Sequence, residues 1–254
     1  MIPILTYHQI ATPPPSPSPY RSLSVPLAHF ESQMAWLHRL GYQALSMTEL
    51  MPYLRGERTG RVVGITFDDG YLNNLTHALP VLTRFGFTAT VYAVSGLLGE
   101  SNVWDLALGV PKSTLMSGEE LRAWTRAGLE VGSHTCSHAR LLSCTDDEAR
   151  AEISRSKAEL EAITGEAVTQ FCYPYGEFNA AHRAQVQAAG YLGATTTLRS
   201  RETVGSREPE AWFELARVPV VRSTHWPQFL LKLLTPYEDR HGRRARDPHS
   251  VSAA

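Results

Sequence analysis

Cysteine is scarce in this 254-residue chain: Cys136, Cys144 and Cys172 are all there is. An odd count cannot build a fully paired disulfide framework, and no CxxC spacing offers a thiolate zinc site. Excess charge is lacking too. Lysine and arginine number 24 against 25 acidic residues, a net −1 with a pI near 6.8, so no basic surface for nucleic acid is expected. No apolar run approaches the roughly 20 residues that span a bilayer. Residues 1–8 lack the basic start, long apolar stretch and small-residue cleavage site of a signal peptide. As written, the chain is expected in the cytoplasm; if a leader was trimmed, it belongs outside it. What remains is ordinary for a globular enzyme: 43% hydrophobic and 19% charged residues, enough for one large core.

The pattern along the chain alternates strand and helix. Residues 2–7 are apolar β-formers ending at His8. Residues 11–24 form a Pro/Ser-rich loop whose consecutive prolines forbid helix and favour extended, mobile chain. Residues 24–41 carry Leu27, Phe30, Met34, Leu37 and Leu40 at helical spacing, with Gly41 as the stop. Strands are expected at 42–46, 62–65, 88–94, 129–133, 168–173, 191–196 and 217–221. Helices are expected at 47–54, 72–85 (kinked or split at Pro80), 117–127, 145–164, 179–189 and 226–234. Two of these open on capping boxes, Ser117 with Glu120 and Thr145 with Glu148. Such alternation implies parallel strands with crossover helices. The expected fold is α/β: a distorted, incomplete (β/α) barrel of about seven parallel strands, one domain over residues 1–235. Residues 236–254, polar and rich in arginine, read as a disordered tail.

Two adjacent carboxylates, Asp68 and Asp69, stand where the apolar run 62–65 stops. Burying two ionised carboxylates costs several kcal/mol each unless cations or donors compensate. Alternation along the strand starts them on opposite faces, and Gly70 permits the turn that gathers both. Read alone, Asp-Asp-Gly is more often a polar turn with a helix cap. Other unusual residues fall at strand ends as well: His8, then His134 with His138 four residues later, then Pro174-Tyr175-Gly176. Parallel α/β folds gather their chemistry on that face. A helical turn would put the two imidazoles on one side. With one carboxylate they make a His₂Asp set suited to zinc, with a position left for water.

The segments Thr66-Phe67-Asp68-Asp69-Gly70, His134-Thr135-Cys136-Ser137-His138 and Tyr173-Pro174-Tyr175-Gly176, in this order, resemble the polysaccharide deacetylases of carbohydrate esterase family 4, the NodB-like domain. The likeness spans roughly residues 2–235. The opening Tyr7-His8-Gln9-Ile10 and residues 24–50 resemble the branch that deacetylates poly-N-acetylglucosamine. The resemblance implies a metal held by Asp69, His134 and His138, zinc first, with cobalt, nickel or iron as alternatives. It implies Asp68 as general base, the Tyr175 backbone N–H as oxyanion donor and His8 as general acid.

Two departures stand out. Much of the family braces the base with an arginine two residues before the motif proline, where this chain has Cys172. The late Leu-x-His that supplies the acid elsewhere is missing, and His225 is the substitute at a different spacing. A lone histidine at a strand end is also often only a satisfied polar residue, so both His8 and His225 stay open. Trp104, Tyr175 and Trp226 are sugar-stacking candidates that serve equally as packing. The expected partner is an N-acetylated carbohydrate. The rivals are an esterase or non-sugar amide hydrolase on this scaffold, and an inactive carbohydrate-binding module.

Overall fold

The computed structural model describes residues 1–240. Its first half runs β1 (Ile4–Tyr7), β2 (Gln9–Ile10), β3 (Ser24–Val25), α1 (Leu27–Arg39), β4 (Gln43–Leu45), α2 (Met47–Leu54) and β5 (Val62–Phe67). There follow α3 (Leu79–Phe85), β6 (Thr90–Ala93), α4 (Val103–Leu106), α5 (Gly118–Arg126), β7 (Glu130–Ser133) and α6 (Asp146–Thr164). The last part is β8 (Gln170–Cys172), α7 (Ala180–Ala188), β9 (Gly193–Arg199), β10 (Leu215–Pro219) and α8 (Trp226–Leu234).

The strand β5 is the hub. It pairs in parallel with β1 over Gly64–Phe67 and with β6 at Thr66 and Phe67, while β4 extends its first half. From β1 the ladder continues through β10, β9, β8, β7 and β6 back to β5, closing a ring of seven parallel strands. The expected barrel is therefore present, one strand short of the eight of a full (β/α)₈ barrel. Its distortion is local. A single residue pair, Ser133 and Phe171, joins β7 to β8, and the register slips between β9 and β10.

Alternation sorts the side chains. Leu5, Tyr7, Val63, Ile65 and Phe67 join the core under the helices; Ile4, Val62, Tyr92, Cys172 and Leu215 join the inner one. The inner core also contains Met47, Leu50, Met51 and Leu54 of α2. Each fully buried side chain of this size contributes about 1.5–3 kcal/mol, so one end of the barrel is sealed with apolar contacts. The other end is left to polar groups.

Several boundaries shift from expectation. The helix expected from residue 24 starts at Leu27, because Pro26 pushes Val25 into extended backbone. Ser24–Val25 instead pairs with Gln9–Ile10 and pins both ends of the proline-rich loop. Arg21 Nε and Ser18 Oγ donate to the Pro14 and Pro15 carbonyls, both at 2.6 Å, so the loop is stitched across as well. The 72–85 segment is split as Pro80 suggests: Asn74–Ala78 widen into a π-helix before α3. Both expected capping boxes form, and Ser46 with Glu49 adds a third. The expected tail boundary at 235 is too early. Glu238, fully buried, pairs with Arg199 and Lys232, and Asp239 pairs with Arg201 at 2.8 Å. The rest of the expected tail, 241–254, lies outside the described residues.

Candidate active site

The open end of the barrel is organised by what happens after β5. Residues 62, 64, 66 and 68 continue one alternating face, so Asp68 points inward. There it meets Arg217 of β10, whose Nη1 and Nη2 donate to Oδ1 and Oδ2 at 2.6 and 2.7 Å. Arg217 Nε donates to the Thr196 carbonyl, and its guanidinium also touches Thr66 Oγ1 and Cys172 Sγ. The arginine missing beside the motif proline is thus replaced in space from another strand, and the small Cys172 leaves it room. Asp68 is 4% exposed and Arg217 is 1% exposed. Burial pushes the Asp68 carboxyl up, but Arg217 more than reverses this and holds it below the usual carboxylate range.

Asp69 would face the other way. The expected pivot is Gly70, yet Asp69 itself takes the left-handed conformation (φ 72°), and Gly70 follows at φ 74°. This double turn swings Asp69 round to His134 and His138, whose Nε2 atoms lie 3.4 and 3.3 Å from its Oδ1. The two histidines are not on a helical turn. Thr135 and His138 are both left-handed (φ 65° and 59°), and a loop brings the rings to 4.9 Å. Glu152 of α6 holds that loop, accepting from the Cys136 and Ser137 N–H groups at 2.8 and 3.0 Å. Left-handed non-glycine residues cost energy and cluster where structure over-determines them; among the described residues, four of the five are Asp69, Thr135, His138 and Tyr175.

The donor set fits a divalent metal. Single atoms of Asp69, His134 and His138 lie within 4.8 Å of one another, all buried. His134 Nδ1 is 2.7 Å from the Cys172 carbonyl, which fixes its N–H there and leaves Nε2 for the metal side. For His134, burial is outweighed by the neighbouring Cys172, Asp69 and Asp68, and the ring is held well above the usual histidine range. His138 is lowered, chiefly by burial. A second grouping, Asp68 with His134 and Cys172, also has the spacing of a ligand set, but Arg217 already occupies that carboxylate.

The surrounding wall is aromatic. Trp104 stacks on His138 at 4.3 Å, and Tyr175 meets the same ring edge-on at 4.7 Å. Tyr175 is left-handed (φ 58°), and a Cβ on the next residue, Gly176, would collide with Thr197 at 1.9 Å. His8 completes the ring of polar groups: its Nε2 is 3.9 Å from Asp68 Oδ2 and its side chain is 24% exposed. Asn74, fully buried in the π-helix, donates to the His8 carbonyl at 3.0 Å and sets this position. His225 and Trp226 are elsewhere. His225 stands at the N-cap position of α8 without a capping hydrogen bond and packs on His29 at 4.5 Å, while Trp226, 51% exposed, stacks on Trp36. Behind Trp104, burial and the charge of Asp69 raise the Asp105 carboxyl.

Sequence reasoning placed the two aspartates, the two metal-set histidines, His8 and Tyr175; it missed Arg217, Glu152 and Asn74. Arg217 carried a signal. It interrupts an otherwise apolar strand, and a buried arginine demands a carboxylate.

A family model described as "Polysaccharide deacetylase" matches residues 55–194, over half of the chain. The chain belongs to the polysaccharide deacetylase family. It is 30% identical over 198 residues to "Putative polysaccharide deacetylase YxkH" of Bacillus subtilis (strain 168), covering 77% of this chain and 64% of that protein. It is 26% identical over 180 residues to the poly-beta-1,6-N-acetyl-D-glucosamine N-deacetylase of Staphylococcus aureus (strain N315), covering 67% and 60%. The chain thus spans less than two thirds of the length of these curated relatives. The crystal structure of BC0361, a polysaccharide deacetylase from Bacillus cereus, superimposes with a TM-score of 0.77 at 27% identity, covering 91% of this chain and 68% of that one. Among the described residues, no helix is long and apolar enough to cross a membrane.

Proposed function

We propose that this chain is a metal-dependent hydrolase that removes N-acetyl groups from an N-acetylated amino-sugar polymer or oligosaccharide. One observation carries the reading: the adjacent carboxylates are separated into two environments, Asp69 with two imidazoles and Asp68 clamped by Arg217. A hydrolase of this kind needs one carboxylate on the metal and one off it. The Staphylococcus relative, named for N-deacetylation of poly-beta-1,6-N-acetyl-D-glucosamine, supports the sugar class.

A divalent metal held by Asp69, His134 and His138, zinc first by ligand type, would acidify a water and polarise the acetyl carbonyl. Asp68 accepts a proton from the attacking water, its orientation locked by the two-pronged guanidinium. The Tyr175 backbone N–H stabilises the charge that develops on the carbonyl oxygen. His8, whose Nε2 is 3.9 Å from Asp68 Oδ2, protonates the leaving amine, which cannot depart as an anion. Trp104 and Tyr175 wall the site and exclude water from one side.

The test is acetate release from N-acetylglucosamine oligomers by purified protein, before and after a chelator, with metal analysis alongside. Chelator-sensitive release from the oligomers is expected, restored by added divalent metal. Turnover confined to acetyl esters would favour the esterase alternative; binding without any release would make the chain a carbohydrate-binding module.

A further inference from the structure

Beside the metal set lies a cavity of about 380 Å³ between the proline-rich loop and the 110–114 segment. That volume is within the range of small-molecule sites, about 300–1,000 Å³. It adjoins the proposed reaction centre: Tyr71, whose hydroxyl interacts with Asp69, lines it, as does Gln9, next to His8. Its walls mix apolar faces, Pro19, Tyr20 and Val110 among them, with hydroxyl and amide groups. Pyranose rings present the same mixture.

The cavity's charge is one-sided. Asp105 lines it, and no lysine, arginine or histidine does. Asp105 is 7% exposed, and its carboxyl interacts with the Trp104 side chain but forms no ion pair among the described residues. A buried carboxylate without a cation of its own is costly, and its natural complement is a cationic donor from outside the chain. Anionic ligands are excluded by the same lining. A neutral N-acetyl group would also leave the carboxylate without its charge partner. The product of the proposed reaction, by contrast, is an amino sugar that carries an ammonium group at neutral pH.

We infer that this cavity is a subsite for an amino-sugar unit with a free ammonium, held by Asp105, next to the unit being deacetylated. A partly deacetylated chain would then be the preferred substrate, because one reaction creates the group that the neighbouring subsite recognises. This deepens the proposed function and takes its sugar class from it.

The test uses the full metal-loaded chain and a glucosamine tetramer with four free amines, with binding read by calorimetry. This probe has no acetyl group to lose, so binding is read whether or not the chain deacetylates anything. Asp105→Asn should weaken its binding by about ten- to a hundredfold, the worth of one charge-assisted hydrogen bond. Thr76→Lys, which adds a cation to the exposed cavity wall, should weaken it similarly and keeps the test decisive if Asp105→Asn misfolds. The N-acetylated tetramer should respond far less to Asp105→Asn. Tetramer binding that a folded Asp105→Asn or Thr76→Lys variant leaves unchanged overturns the subsite. Asp105-dependent tetramer binding in a protein that releases no acetate from any oligomer would leave the subsite standing and sink the deacetylase reading.

Discussion

Arg217 and Asp68 are 149 residues apart in the chain and meet through two charge-assisted hydrogen bonds at 2.6 and 2.7 Å. The pair lies at the polar end of an otherwise apolar barrel interior. Its two members come from β10 and from the end of β5, so both strands must be in place for either charge to be compensated.

Removing the guanidinium alone is therefore expected to be expensive. Arg217→Ala should lose about 3–5 kcal/mol of stability, the usual cost of orphaning a buried charge, read from the midpoint of denaturant unfolding. Arg217→Lys keeps a charge but not the fork. It should recover part of the stability and still turn over more slowly, with metal content unchanged. An Arg217→Ala protein as stable as the parent would show that Asp68 finds its compensation elsewhere.

Cys172 should tolerate no arginine while Arg217 is present. Its Sγ is 3.3 Å from Arg217 Nη2, so Cys172→Arg forces a second guanidinium into filled space beside a like charge. The single variant should be strongly destabilised. Combined with Arg217→Ala, it places an arginine where much of the family has one, and the double variant should be more stable than the sum of the two losses. Simple additivity in that double-mutant cycle would mean the two positions do not share one space.

The metal set and the base separate by readout. Asp69→Ala, His134→Ala and His138→Ala should each lose metal in elemental analysis while the fold survives on the surrounding core. Asp68→Asn should keep the metal and lose a factor of about 10² to 10⁴ in turnover. A full equivalent of metal retained in His134→Ala would remove that residue from the set, and metal loss in Asp68→Asn would exchange the roles of the two aspartates.

How much of this was legible follows from the range of each interaction. Asp68, Asp69, His134, His138 and Tyr175 stand at strand ends, and strand ends can be read from local apolar runs. The alternation of elements was enough for a seven-strand parallel barrel. What stayed hidden depends on closure of the ring. Arg217 reaches Asp68 only because β10 and β5 both pair with β1, and no local pattern encodes that. Glu152 reads as one more charge on an amphipathic helix until the 134–138 loop is seen to rest on it. From sequence the turn falls to Gly70 and not Asp69, because aspartate adopts left-handed backbone less readily than glycine.

The C-terminal boundary gives a pH-dependent prediction. Burial pushes the Asp239 carboxyl up, and hydrogen bonds from Arg201 outweigh this and lower it. A depressed carboxyl adds stability that is fully present above its unfolded value, near 3.9, and is lost as pH falls through the folded value. Asp239→Asn should therefore be less stable than the parent at pH 7 and at pH 5. The gap should begin to narrow below about pH 4, the unfolded value, and close only as pH falls through the depressed folded value, where the parent's carboxyl is protonated too. A gap independent of pH would mean that Asp239 holds residues 236–240 by packing alone.

The proposed acid can be isolated by choice of leaving group. His8 faces Asp68 at 3.9 Å, held by Asn74, whereas His225 is exposed at the head of α8 and packs on His29. An amine must be protonated to leave, but an activated aryl acetate releases a phenolate that needs little help. His8→Ala should therefore depress deacetylation of N-acetylated sugars far more than hydrolysis of the aryl acetate, with metal content unchanged. Asn74→Ala should reproduce a weaker form of the same selective loss, since it removes the hydrogen bond that places the His8 backbone rather than the imidazole itself. His225→Ala should alter neither substrate. Equal loss on both substrates in His8→Ala would assign His8 to holding Asp68 or the metal set. A selective loss in His225→Ala alone would move the acid to the segment after β10, and α8 would have to shift to bring that ring to the amine.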